Sequence, residues 1–289
     1  MIKGLFVLLA FSSFSLLCGE EIKHRFLAMD NYKKAPQLIY VDQLEPENSW
    51  ITKLPSIKGG TYRSIQKIDG GRLLINHPDG AGEYDLRTGQ PLKWKVSGLT
   101  GVQCALRLPN GNTAIASTSN ITFVDESGKI ISEKSLDGPP KGRMRLLTLT
   151  SRNTLFYSSN KPYSLCEITL EGEFIKAIPL IDKGYKHILL ANGNILNSTG
   201  DTCKVIEMSP AGKVVHFVGG KAEHPTYKLD FCSGWELLAN GNIVMTNWLG
   251  HNKVGTEKQL FEFDQDNKLV WSWDGRDLGK TITNVLVVD

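Results

Sequence analysis

The chain of 289 residues lacks most of the features that declare a biochemical activity. Its formal net charge is only +3, too little for bulk attraction to nucleic acid, so no nucleic-acid partner is expected. Cysteine is scarce, five in all, and the four beyond the N-terminal segment are Cys104, Cys166, Cys203 and Cys232. Their wide spacing excludes a disulfide-stapled mini-fold and a CxxC metal site. Their even number leaves disulfides open, with buried free thiols the favoured reading. No G-x-S-x-G nucleophile elbow, phosphate-binding glycine loop or H-E-x-x-H helix occurs, which argues against enzymes that carry their chemistry in one local motif. An enzyme that gathers its site from distant segments escapes that test. Past residue 20 no apolar stretch is long enough to span a bilayer, so no transmembrane segment is expected.

What is present begins with a leader. Met1-Ile2-Lys3-Gly4 followed by "LFVLLAFSSFSLLC" is a short basic start and a brief apolar run, the pattern of a secretory signal over residues 1–19. Residues 20–289 are then expected to form a single domain of a secreted or periplasmic protein. Lipid anchoring through Cys18 is the alternative, disfavoured because Leu17 stands where such signals carry a small residue.

The rest of the chain repeats itself. A first hairpin type occurs five times, as "SIQKIDGGRLLIN", "CALRLPNGNTAIA", "LLTLTSRNTLFYS", "HILLANGNILNS" and "WELLANGNIVMTN". Each is an apolar strand, a two-residue Gly-Gly or Asn-Gly turn that tolerates positive φ, and a second strand. Ser151-Arg152 is the one poor fit. Between them lies a second hairpin type, in which a short polar residue opens the turn and Gly closes it, as at residues 85–89 and 125–128. It occurs six times, from "LIYVDQLEPENSWITKL" to "LFEFDQDNKLVWSW". Two hairpins make a four-stranded sheet, and a period near forty residues with four strands per unit predicts an all-β propeller. The excess second hairpin and the terminal "TITNVLVVD" fit six blades of four antiparallel strands. The last is shared, its innermost strand coming from the C-terminus and its other three from the N-terminus, which removes exposed sheet edges.

"YDLRTGQPLKW" and "FDQDNKLVWSW" resemble the Asp-x-x-Thr-Gly-x-x-x-Trp repeat of the quinoprotein-like (PQQ-like repeat) superfamily of secreted bacterial propellers. The resemblance covers essentially the whole mature chain and implies the fold, not an activity. Members that hold pyrroloquinoline quinone usually have eight blades and, in many alcohol dehydrogenases, an adjacent Cys-Cys pair. Neither is found here, so no cofactor is expected. "LPNGNTAIA" is similar to strands of bacterial arylsulfotransferases, six-bladed propellers with a catalytic His a little before such a turn. Phe231 stands at that position and His187 in a different register, so sulfate transfer is not expected.

In this architecture the hairpin turns share one face and the connecting loops the other. The long loops 219–234 and 247–258 and the starts of the innermost strands should surround the channel mouth on the loop face. The candidate binding residues there are Arg63, His77, Gln103, Arg143, Arg145, Lys186, His187, Asp230 and Trp248. Arginine suits carboxylate, sulfate or phosphate because its planar fork binds two oxygens at once, and His187 or His77 would be the acid or base of an enzyme. Trp235 and Trp248 offer stacking surfaces, whereas Trp94, Trp271 and Trp273 read as packing between blades. His224, Asp230 and His251 share no recognised ligand spacing, so no metal is expected. The reading is a secreted binding module for an anionic small molecule, a glycan or a protein partner. The alternative is a lyase, hydrolase or transferase acting on a sugar or anionic small molecule at the mouth.

Overall fold

The computed structural model describes residues 21–56, 61–118, 120–136, 144–160 and 162–289; the expected leader and Cys18 lie outside them. The strands run in order as β1 (Arg25–Asp30), β2 (Gln37–Asp42), β3 (Trp50–Lys53), β4 (Ile65–Ile68), β5 (Arg72–His77), β6 (Gly80–Asp85), β7 (Pro91–Val96) and β8 (Cys104–Arg107). They continue as β9 (Thr113–Ala116), β10 (Asn120–Val124), β11 (Ile130–Ser135), β12 (Leu147–Leu149), β13 (Thr154–Asn160), β14 (Tyr163–Thr169), β15 (Phe174–Pro179) and β16 (Gly184–Leu189). The last are β17 (Ile195–Thr199), β18 (Lys204–Met208), β19 (Val214–Gly219), β20 (Trp235–Leu237), β21 (Ile243–Thr246), β22 (Leu260–Phe263), β23 (Leu269–Trp273) and β24 (Ile282–Val287). They form six four-stranded antiparallel sheets. Five are consecutive in sequence, and the sixth has the order β24-β1-β2-β3. The shared blade is therefore present, with Phe26 opposite Val287 and Ala28 opposite Val285. No helix among the described residues is long and apolar enough to cross a membrane.

The blades pack face to face because alternate residues of a strand point to opposite sides. Along β1, Phe26 and Ala28 join a buried cluster with Trp271 and Trp273 of the fifth blade, while Leu27 and Met29 join another with Leu73 and Ile75 of the first. Six apolar clusters result, each drawn from two neighbouring blades.

The turns correct one expectation. In the first hairpins only the glycine of each Asn-Gly pair is left-handed, at Gly111, Gly193 and Gly241. Its N–H bonds the carbonyl three residues back, while the asparagine side chain accepts the N–H two residues on. These are bulged turns with a left-handed closing residue, not two-residue loops. The poor fit at Ser151-Arg152 resolves in the same way, since Asn153 takes the left-handed place at φ 56°.

Ring closure carries an ionic clasp. His24, 6% exposed, meets Glu262 of β22 at 2.8 Å through Nε2 and the C-terminal residue Asp289 at 2.7 Å through Nδ1. Burial opposes protonation of His24, but the hydrogen bonds and charges of Glu262 and Asp289 outweigh it and raise its pKa above 6.5. Glu262 belongs to a recurring set. Glu83 and Glu167 occupy matching positions of β6 and β14, buried and paired with Arg72 and Arg107, and with Arg152.

A folded-state pKa above the unfolded value means that the His24 contribution is complete below about pH 6.5 and lost as pH rises through the raised pKa. Melting temperatures of the wild type and His24→Gln should therefore differ most near pH 6 and converge toward pH 9. A pH-independent difference would refute the ionic clasp. A second measurement concerns the four cysteines, all buried free thiols. Burial pushes Cys104 and Cys166 up to about 11 and Cys203 to about 12, so the reactive thiolate is scarce as well as inaccessible. Mass spectrometry after brief alkylation should find them unmodified in the native protein and labelled in denaturant.

Candidate functional site

Where the innermost strands open on the loop face, residues before the ladder, or at a break in it as in β16, are held by side chains of the second strands. Asn76 of β5 accepts the N–H groups of Arg63 and Ser64, Ser198 of β17 that of Lys186, and Thr246 of β21 those of Ser233 and Gly234. Polar second-strand residues thus satisfy backbone donors that pairing leaves over.

Of the expected residues, Arg63 and Gln103 are in direct contact. Arg63 donates to the Gln103 side-chain carbonyl, and Gln103 to the Gly101 carbonyl. Arg145 lies just before β12, 8% exposed, its guanidinium 5.0 Å from the centroid of the Tyr185 ring. Its Nε and Nη1 have no hydrogen-bond partner among the described residues. Arg143 lies outside those residues. Lys186 is paired with Glu236 at 2.8 Å and rests over Trp235. Asp230, a candidate binding residue, is held by lysines of its own loops, Lys253 at 2.9 Å and Lys221 at 3.8 Å.

The two histidines are buried on strands. His187 is fully buried, with Nδ1 3.3 Å from Ser158 Oγ and its ring against Phe156. Burial pushes its pKa down to about 4, partly opposed by the Phe156 backbone. His77 sits between Tyr62 and Tyr84, its Nε2 3.0 Å from the Tyr84 hydroxyl, and burial followed by the charge of Lys95 takes it to about 4. Both are neutral at physiological pH and add no positive potential to the mouth.

Sequence reasoning missed the aromatic chain that links these elements. Tyr185 meets Phe231 edge-on at 5.0 Å, and Phe231 meets both Trp248 and His251. Trp248 is half-buried and donates its indole N–H to Asn31 of the shared blade at 3.0 Å; His251 is exposed. Trp235 is fully buried, its indole donating to the Lys186 carbonyl, so it offers no stacking face. Only "NWLGH" hinted at the chain, because its members come from separate loops. A cationic end at Arg145 and an aromatic flank ending at Trp248 and His251 can hold an anion. Among the described residues no group of three His, Cys, Asp or Glu side chains is arranged to hold a metal ion.

No family model and no curated protein sequence matches the chain. Solved structures do. A Bacteroides caccae protein of unknown function is 20% identical, with a TM-score of 0.75 over 92% of this chain and 99% of that one. A catalytically inactive virginiamycin B lyase from Staphylococcus aureus, solved with quinupristin, is 15% identical, with a TM-score of 0.58 over 88% of this chain and 85% of that one. A chain of a nidogen/laminin complex is 11% identical, with a TM-score of 0.60 over 92% and 98%. At these identities the likeness is one of fold, the six-bladed propeller.

A buried neutral histidine makes the fold acid-sensitive. With its folded pKa near 4 against 6.5 for the free side chain, the unfolded chain binds the extra proton, so stability present above about pH 6.5 is lost as pH falls toward 4. Denaturant midpoints measured from pH 7 to 4.5 should fall less steeply for His187→Gln than for the wild type. Equal slopes would remove His187 as the cause.

Proposed function

We propose that the protein is a binding module that takes an anionic ligand at the loop-face mouth. The observation that carries this reading is Arg145, a residue only 8% exposed whose guanidinium has two buried nitrogens unpartnered among the described residues. A buried charge without partners is costly, and an anion with two or more oxygens is the chemistry that would satisfy it. Arg63 would supply a second guanidinium at the mouth, and Tyr185 and Trp248 would cover a ligand's apolar side. The leader pattern and the Asp-x-x-Thr-Gly-x-x-x-Trp stretches support an exported protein of the quinoprotein-like group. An enzymatic reading has one observation in its favour: His251 is an exposed imidazole against Trp248, in a fold that also serves a lyase.

The test is thermal shift at low ionic strength against sulfate, citrate, glucuronate and a sulfated oligosaccharide. At about one hundred times Kd a bound anion should stabilise the protein by about 2.7 kcal/mol, and salt should erode the shift. Arg145→Met keeps the packing against Tyr185 and deletes the charge. The free variant should melt at or above the wild-type temperature, because two buried nitrogens without a partner among the described residues are gone, yet show no anion shift. An undiminished shift in Arg145→Met, or none in the wild type, would reject the reading. Turnover of a bound probe that His251→Ala abolishes would move it to the enzymatic one.

A further inference from the structure

The turn face carries an open cleft of about 780 Å³ where the shared blade meets the first. The connection from β2 to β3 forms one wall. It is longer than its counterparts, spanning residues 43–49 with a 3-10 turn at Pro46–Asn48, where other blades need only 125–129 or 264–268. The turn after β6 forms the other wall, and Val288, just past β24, also lines the cleft.

The lining divides into three chemistries. Tyr40 and Trp50 form an aromatic pair with ring centroids 5.6 Å apart, continued by Leu86 and Val288. Asp42 and Asp85 are committed to the fold. Asp42 accepts from Arg25 and two backbone N–H groups, and Asp85 accepts from the N–H groups and hydroxyl of its own turn. Glu47 and Arg87, both exposed, have no side-chain hydrogen bond or ion pair among the described residues. The Trp50 indole N–H is also without an acceptor there.

We infer that this cleft is a second ligand site, on the face opposite the mouth, and that it takes a neutral saccharide. Its volume falls within the range of small-molecule sites. A purely apolar occupant would strip water from Glu47 and Arg87 without replacing it. An anion would face three carboxylates, while a cation would be opposed by Arg87 and would find Asp42 and Asp85 already accepting the hydrogen bonds of the fold. A sugar ring presents C–H groups to an aromatic wall on one side and hydroxyls on its edge. Those hydroxyls both donate to Glu47 and accept from Arg87. The site does not rest on the anion reading of the mouth.

Saturation-transfer NMR of the full chain, followed by calorimetry, against neutral mono- and oligosaccharides of glucose, galactose, mannose and N-acetylglucosamine tests this. At least one sugar should bind. Glu47→Ala and Arg87→Ala should each weaken it about tenfold or more, the loss of one charged hydrogen bond, while melting temperatures stay unchanged and Arg145→Met binds as the wild type does. No saturation transfer from any sugar at millimolar concentration would overturn the inference. So would binding that survives the Glu47→Ala, Arg87→Ala double variant, or binding lost in Arg145→Met, which would assign the sugar to the mouth.

Discussion

Every blade is a four-stranded sheet with apolar residues on both faces, and nothing in one blade can cover either. Leu73 and Ile75 point to one neighbour while Leu74, between them, points to the other. The requirement is met only when each blade is sandwiched between two others and the last meets the first. Closure is therefore a condition of the whole core, not an ornament at the termini. It explains why the final strand pairs with the first, and why a buried imidazole between two carboxylates sits where the chain ends meet the fifth blade.

The same constraint creates the two faces. Strands that converge on an axis run short of ladder partners at the mouth, so side chains such as Asn76 and Thr246 take over the backbone bonding. Arg145 shows the consequence most plainly: the apolar Met144 and Leu146 on either side of it are locked into the core between the second and third blades, and Arg145 is thereby held at 8% exposure beside Tyr185. Stability from packing is what lets the chain hold a charge there.

On the turn face the controlling fact is the split blade. Five blades have regular short turns between their outer strands, held by an Asp, Ser or Thr side chain accepting backbone N–H groups, as at Asp125 and Asp264. The shared blade departs from that pattern with "QLEPENS", and the departure opens the cleft beside Tyr40 and Trp50. A break in a repeat is where a propeller can acquire a feature that its other blades lack.

Local chemistry recorded the architecture in the sequence. Strand alternation and turn residues recur at a fixed period, so blade number, strand order and the shared blade could be read without knowing any contact. The buried glutamates Glu83, Glu167 and Glu262 recur at matching strand positions, but their role emerged only in the fold, because Arg107 and His24 reach Glu83 and Glu262 from other blades. The sites lay beyond such reading. His187 and Lys186 are adjacent in sequence, yet one is buried and neutral and the other is paired with Glu236 fifty residues away. Phe231, Trp248 and Asn31 meet only because three loops from two blades converge. Periodicity along the chain determines which residues form a blade. Burial, pairing and charge at the mouth depend on distances across the ring, which only the closed tertiary structure decides.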